Sequence, residues 1–203
     1  DGAYNVVSTA CYQNTPDPDA ISKEWAVISK KLADGGKNAQ QIEFDKKDFY
    51  YLQAQKYFVP DSFDFSVETI GQFTNMDVVF RAIHVMLDKL SRFKQAVQTN
   101  PEIVKDSNST LQNGFDIKLV GEDYTLGKVI EYVLYNKYYS MNDSKPINFC
   151  GFRKPHPHID ESLIRIAFRE PTEKSNVVSI LVDSASSAEK VFQTIANDFK
   201  PTD

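Results

Sequence analysis

The side chains best suited by type to do chemistry lie together in one short stretch, Lys154-Pro155-His156-Pro157-His158-Ile159-Asp160-Glu161. Two imidazoles, His156 and His158, and two carboxylates, Asp160 and Glu161, are the donor types that hold zinc and activate water for hydrolysis. Their spacing works against that use. Proline on either side of His156 fixes φ at about −65° and keeps the backbone extended, so successive side chains point apart. The pattern reads as a rigid turn between two strands; a small metal-dependent hydrolase using His156, His158, Asp160 and Glu161 stands as the alternative. The remaining histidine, His84 beside Ile83, reads as a boundary or core residue rather than an acid or base, although histidine is the usual choice for either. Asp17, Asp19, Asp45, Asp48, Asp61 and Asp64 fall at turns and helix starts, where aspartate caps backbone N–H groups. Cys11 and Cys150 belong to no Cys/His cluster and read as two buried or half-buried free thiols, neither a disulfide nor a zinc site. No catalytic residue, metal ligand or cofactor is assigned to the chain.

Composition narrows the classes further. With 203 residues the chain has room for one large domain or two smaller modules, and 41% hydrophobic content supports a real core. A net charge of −5, from 23 basic and 28 acidic residues with no dense basic block, argues against direct nucleic-acid binding. No run approaches the roughly 18 apolar residues of a membrane span, and DGAYNVV has neither the basic flank nor the apolar stretch of a signal peptide, so a soluble intracellular protein is expected. The start at Asp1 rather than Met reads as a fragment or a processed product.

The elements that must position these residues follow from periodicity. Residues 4–12 read as a strand stopped by the turn cluster NTPDPD. Asp17 and Pro18 then open a helix carrying Ile21, Trp25, Ile28 and Leu32, which ends at Gly35 and Gly36. Residues 44–58 suit a short helix by Phe49, Leu52 and Lys56, with aromatic density that would also suit a strand. In residues 62–71, Phe63, Phe65, Val67 and Thr69 alternate with Asp64, Ser66 and Glu68, which predicts a half-buried strand. Thr74 and Asp77 resemble a capping box opening the longest helix, with Val79, Ile83, Leu87, Leu90 and Val97 on one stripe. The polar segment 99–114 reads as a linker between a first module, 1–98, and a second, 115–203.

The second module opens with the strand 115–119. Residues 123–139, DYTLGKVIEYVLYNKYY, form an amphipathic helix with Leu126, Val129, Ile130, Val133, Leu134 and Tyr138 on one face and Lys128, Glu131, Tyr132, Tyr135 and Asn136 on the other. Such a helix is marginal alone, and burying each of those apolar chains is worth roughly 1.5–3 kcal/mol, so it is a docking element. Glycine in its first turns costs about 1 kcal/mol against alanine, so Gly127 suggests close approach of a partner backbone. Tyr132, Tyr135, Tyr138 and Tyr139, interleaved only with Lys137, suit a protein interface better than base stacking. Strands are expected at 147–152 and 163–169, with Ile164, Ile166 and Phe168 inward. VVSILV, 177–182, reads as a further strand. Ser186 and Glu189 form a second capping box before a closing helix with Ala188, Val191, Phe192, Ile195, Ala196 and Phe199 on one face. The order of strand, turn and capped helix in 63–93 recurs in 163–200.

The run EDYTLGKV at 122–129, with FCGFRKPHPH at 149–158, a charged alternating strand and a terminal helix, resembles the small assembly subunit of multisubunit RNA polymerases. That family includes the eleventh subunit of eukaryotic polymerase II, the archaeal L subunit and the related bacterial α amino-terminal domain. Tyr124, Lys128 and Phe152 depart from the histidine, asparagine and tyrosine of the family pattern. VVSTACY at 6–12 and PDSFDFSVETIG at 60–71, with the long helix after them, are similar to the carboxy-terminal part of the partner, the third-largest-subunit or archaeal D type. Both on one chain is similar to the fused subunits of large DNA viruses; residues 14–57 are left unaccounted for. The resemblance implies an α+β fold of two related strand-helix modules, the D–L-like dimerisation fold, with the first module incomplete at its N-terminus.

It further implies a non-catalytic scaffold, a platform for the two large catalytic subunits alongside small polymerase subunits, with magnesium held by the largest subunit and no direct contact with nucleic acid or membrane. Leu126, Gly127, Lys128, Val129, Ile130 and Val133, with Pro155, His156 and Pro157, are the expected partner-binding residues. The apolar helix face is expected to meet a pseudo-symmetric helix encoded before Asp1, the missing front half of the D-like module. Location would follow the polymerase: host cytoplasm, viral factory or virion for a virus, the nucleus for a eukaryotic cell. A free-standing dimerisation module with no link to transcription is the remaining alternative.

Overall fold

The computed structural model describes residues 4–139 and 144–200. They divide into two compact units, Asp1–Asn75 and Met76–Asp203.

In the first unit β1 (Val7–Pro16) pairs antiparallel with β2 (Phe58–Thr69), with Tyr12 opposite Phe65 and Asn14 opposite Phe63. Between them run α1 (Pro18–Asp34), α2 (Ala39–Asp48), a single π-helical turn over Phe49–Gln53 and a 3₁₀ turn over Ala54–Lys56. The Asp17 carboxylate accepts the Ala20 N–H at 3.0 Å, so aspartate and proline start α1 as their chemistry requires. Residues 44–48 are helical, in a helix that begins upstream at a reciprocal Asn38–Gln41 capping box. The unit's core is small: Ile21, Phe49 and Ala54 are buried, with Trp25, Ile28 and Tyr57 against them. The period-two pattern of β2 is real, yet the face it defines is open. Phe63 and Phe65 are 47% and 73% exposed and form an aromatic cluster with Tyr12.

The second unit comprises α3 (Asn75–Thr99), β3 (Val104–Asp106), β4 (Gly114–Val120), α4 (Tyr124–Tyr138), β5 (Ile147–Arg153), β6 (Glu161–Phe168) and α5 (Lys174–Asp198). Its antiparallel sheet has the order β3-β4-β6-β5. Phe115, Ile117 and Leu119 of β4 and Ile164, Ile166 and Phe168 of β6 are buried, as their alternation predicts. They share one core with Leu126, Ile130 and Leu134 of α4, Val177, Ile180, Leu181, Ala185 and Ala188 of α5, and Met86, Leu90, Phe93 and Val97 of α3. The order of strand then helix does recur: β2 and β6 are each followed by a helix of 25 residues. Mixed strand-helix modules on antiparallel sheets are the α+β class expected. Among the described residues no helix is long and apolar enough to cross a membrane.

Three expectations change. Residues 99–114 are not a plain linker, because Val104, 2% exposed, brings β3 against β4, and the division between units falls before α3. That helix joins the second unit because its buried positions, including Met86 and Phe93, which the expected stripe omitted, enter the second unit's core. VVSILV is helical, and α5 runs through Ser186 and Glu189 without a new start. Burial decides it: Val177, Ile180, Leu181, Ser184, Ala185 and Ala188 follow the helical 3, 1, 3, 1, 3 rhythm, which overrides the β-branched preference. Farther along, Val191 and Ile195 are 57% and 37% exposed, outside the core expected for them.

Candidate functional site

The residues expected to bind a partner lie on α4 and in the β5–β6 connection of the second unit. There the turn into α4 meets the β5–β6 connection, where the Gly121 N–H donates to the Asp160 carbonyl at 2.9 Å. The Ser162 hydroxyl donates to the Glu122 carbonyl at 2.7 Å. Asp123 caps α4, its carboxylate accepting the Thr125 N–H at 3.1 Å.

The face of α4 that periodicity marks as apolar is already covered. Leu126, Gly127, Ile130 and Leu134 are buried, with Val129 and Val133 packed at the margin of the same core. They lie against β5, β6 and α5 of their own unit. Leu126, Gly127 and Ile130 are thus covered by elements of their own unit. Gly127 serves a close approach, but to a side chain rather than a partner backbone: a Cβ there would overlap the Phe152 ring. That ring sits edge-on to Tyr124 at 5.3 Å between centroids, with the Lys128 ammonium 5.8 Å from its centre. Glu131 completes the arrangement by accepting the Phe152 N–H at 3.0 Å and pairing with Lys128 at 2.5 Å. Sequence reasoning missed Phe152 as the neighbour of Gly127, which no local pattern links, and Glu131 as the partner of Lys128, which their i,i+3 spacing on the helix could have signalled.

Exposed on α4 are Tyr124, Tyr132 and Tyr135, at 59%, 70% and 47%, together with Lys128, Asn136 and Lys137. Tyr135 stacks on Tyr139 at 4.5 Å. Pro155, His156 and Pro157 are exposed in the connection, a tight turn in which the His156 carbonyl accepts the Ile159 N–H at 3.1 Å and its Nδ1 accepts the His158 N–H at 3.1 Å. Glu161 pairs with Lys118 at 2.5 Å, and among the described residues no group of three or more His, Cys, Asp or Glu could hold a metal ion. His84, expected at a boundary or in the core, is exposed on α3 and lies on the Phe80 ring at 4.2 Å.

The polar groups of this unit are tied down. Arg165 donates two hydrogen bonds to Asp116, at 2.6 and 2.8 Å, and holds that carboxyl below its usual range. Lys137 and then Tyr138, both donating to Asp183, depress its carboxyl. Burial first, then Asp183, pushes the Tyr138 phenol up to about 12. Burial first, then the Glu131 charge, pushes the Cys150 thiol up to about 12, which leaves it neutral and unreactive. Cys11 departs from expectation and is exposed.

In the second unit an antiparallel sheet thus packs against a short capped helix and a long terminal one, with exposed aromatic side chains around α4. Consistent with that, residues 115–198 match the RNA polymerase Rpb3/Rpb11 dimerisation domain family, a span of β4 to α5 that is less than half of the chain. The chain is 31% identical over 99 residues to the probable DNA-directed RNA polymerases I and III subunit RPAC2 of Caenorhabditis briggsae, across 48% of this chain and 61% of that protein. It is 29% identical over 99 residues to the Caenorhabditis elegans protein of the same description, across 48% of this chain and 62% of that one. The chain thus spans about three-fifths of the curated relatives it matches.

Proposed function

We propose that this chain is a non-catalytic assembly subunit of a multisubunit DNA-directed RNA polymerase. The observation that carries the proposal is the match of residues 115–198 to the Rpb3/Rpb11 dimerisation domain. Residues 115–203, within the second unit, are the L-like half. Residues 1–98 are the carboxy-terminal part of a D-like half whose last helix, α3, lies on the L-like half, so the two halves pair within one chain. The repeated order of strand and 25-residue helix supports this pairing. The exposed surface of Tyr124, Lys128, Tyr132 and Tyr135, with Pro155, His156 and Pro157, meets neighbouring polymerase subunits, while the two large subunits carry the catalytic magnesium. Both halves on one chain favour the polymerase of a large DNA virus, acting in the host cytoplasm, viral factory or virion, over a cellular enzyme of the nucleus.

The test is purification of the affinity-tagged full chain from the cells that make it. The expected result is a complex containing two very large subunits and able to synthesise RNA; a native mass of this chain by itself would sink the proposal.

A further inference from the structure

The sheet of the second unit has two edge strands, β3 and β5, and they differ in what they offer a neighbouring strand. β3 is three residues long, and its exposed Lys105 and Asp106 pair with Glu102 and Lys174, so it presents little backbone and much charge. β5 is seven residues long, carries no charge before Arg153 and leaves Phe149 39% exposed. Among the described residues it pairs as a strand only with β6. Its own composition therefore does nothing to blunt its outer edge.

One hydrogen bond shows which groups point outward. The Phe152 N–H donates at 3.0 Å to Oε1 of Glu131 on α4. Alternation along an antiparallel pair then turns Cys150 outward as well, and Phe149, Gly151 and Arg153 toward β6. In the regular stretch 149–153 a new strand can thus bond only at Cys150 and Phe152, and Glu131 already holds the N–H of the second. The other oxygen of that carboxylate, Oε2, lies 2.5 Å from Lys128 one turn back on the helix, and the Glu131 side chain is 19% exposed, so it is fixed from both sides. At the start of β5, Tyr139 bridges to Ile147; beyond its end, Pro155 has no N–H to give.

We infer that Glu131 is an edge guard, withholding the outward N–H of Phe152 from the β5 strand of a second copy of this chain. A second copy is the occupant because β5 set antiparallel to itself about a two-fold axis is self-complementary, each copy offering the same donors and acceptors. To add its strand, that copy must break a charge-assisted hydrogen bond and put a neutral ladder bond, the weaker of the two, in its place. The inference holds for the chain whether or not it belongs to a polymerase.

The test uses the full chain carrying Phe65→Lys, so that the exposed aromatic cluster of the first unit is not the contact. Glu131→Ala removes the acceptor with a residue that suits a helix, and Glu131→Met removes it while keeping the stem of the side chain. Both are expected to dimerise in analytical ultracentrifugation at concentrations where the parent and Glu131→Gln, whose amide oxygen still accepts the N–H, stay monomeric. Amide exchange locates the contact: Phe152 is expected to be protected in the parent, unprotected in the dilute alanine variant and protected again in its dimer. Folded alanine and methionine variants that stay monomeric at every concentration overturn the inference. So does a dimer that leaves the Phe152 amide unprotected, or a glutamine variant that dimerises as readily as alanine.

Discussion

At Gly127 the α4 backbone lies so close to the Phe152 ring that no side chain fits between them. Gly127→Ala gains up to about 1 kcal/mol of helix propensity but forces overpacking that costs about 1–3 kcal/mol, so the urea midpoint is expected to fall. Phe152→Leu in the same chain should recover part of the loss, since it removes the ring atoms that clash. The thiols give a second check. Cys11, which is exposed, is expected to react with a disulfide reagent in the folded chain, and Cys150 only on unfolding. Cys150 and Tyr138 both have folded values raised to about 12, above unfolded values of about 8.5 and 10. Their contribution is complete below about pH 8.5 and is lost as pH rises toward 12, so stability should decline across that window, less steeply in Cys150→Ala. Of these features the sequence carried only the oddity of glycine inside a helix. The ring it accommodates, and the burial that separates one cysteine from the other, depend on which strands meet.

Elements were legible where one signal dominated. Phe115, Ile117 and Leu119 alternate on a strand with one buried face, and Asp17 with Pro18 starts a helix by local chemistry alone; both read correctly. Residues 177–182 carried two signals at once, β-branched composition and helical spacing, and only the core beneath α5 chooses between them. Likewise β3 is too short to announce itself among polar neighbours and exists because β4 offers an edge. Sheet pairing brings one testable contact, since Asp116 and Arg165 are direct cross-strand neighbours on β4 and β6. Arg165→Ala is expected to cost about 1–2 kcal/mol at pH 7, measured by denaturant unfolding. The Asp116 carboxyl is depressed by Arg165, so its stabilisation is present above the ordinary aspartate value of about 3.9 and lost as pH falls through the depressed one. The gap between parent and variant should therefore shrink as the solution is taken below about pH 4.

The whole molecule consists of two units with unequal cores. The first buries Ile21, Phe49 and Ala54; the second has a continuous core through α3, β4, α4, β6 and α5. Amide exchange on the intact chain is expected to show β1, α1 and α2 opening at lower free energy than β4, β6 and α5, and limited proteolysis to leave the second unit as the surviving fragment. Uniform protection across both units would contradict this. The β1–β2 ribbon has a practical bearing as well. Among the described residues its strands pair only with each other, so each keeps an open hydrogen-bonding edge, and Tyr12, Phe63 and Phe65 lie on one uncovered face. Unpaired edges beside exposed aromatics are a template for strand addition between molecules. Concentrated preparations of this chain are therefore prone to associate through the ribbon, and a charged substitution at Phe65 is the first change to make for solubility.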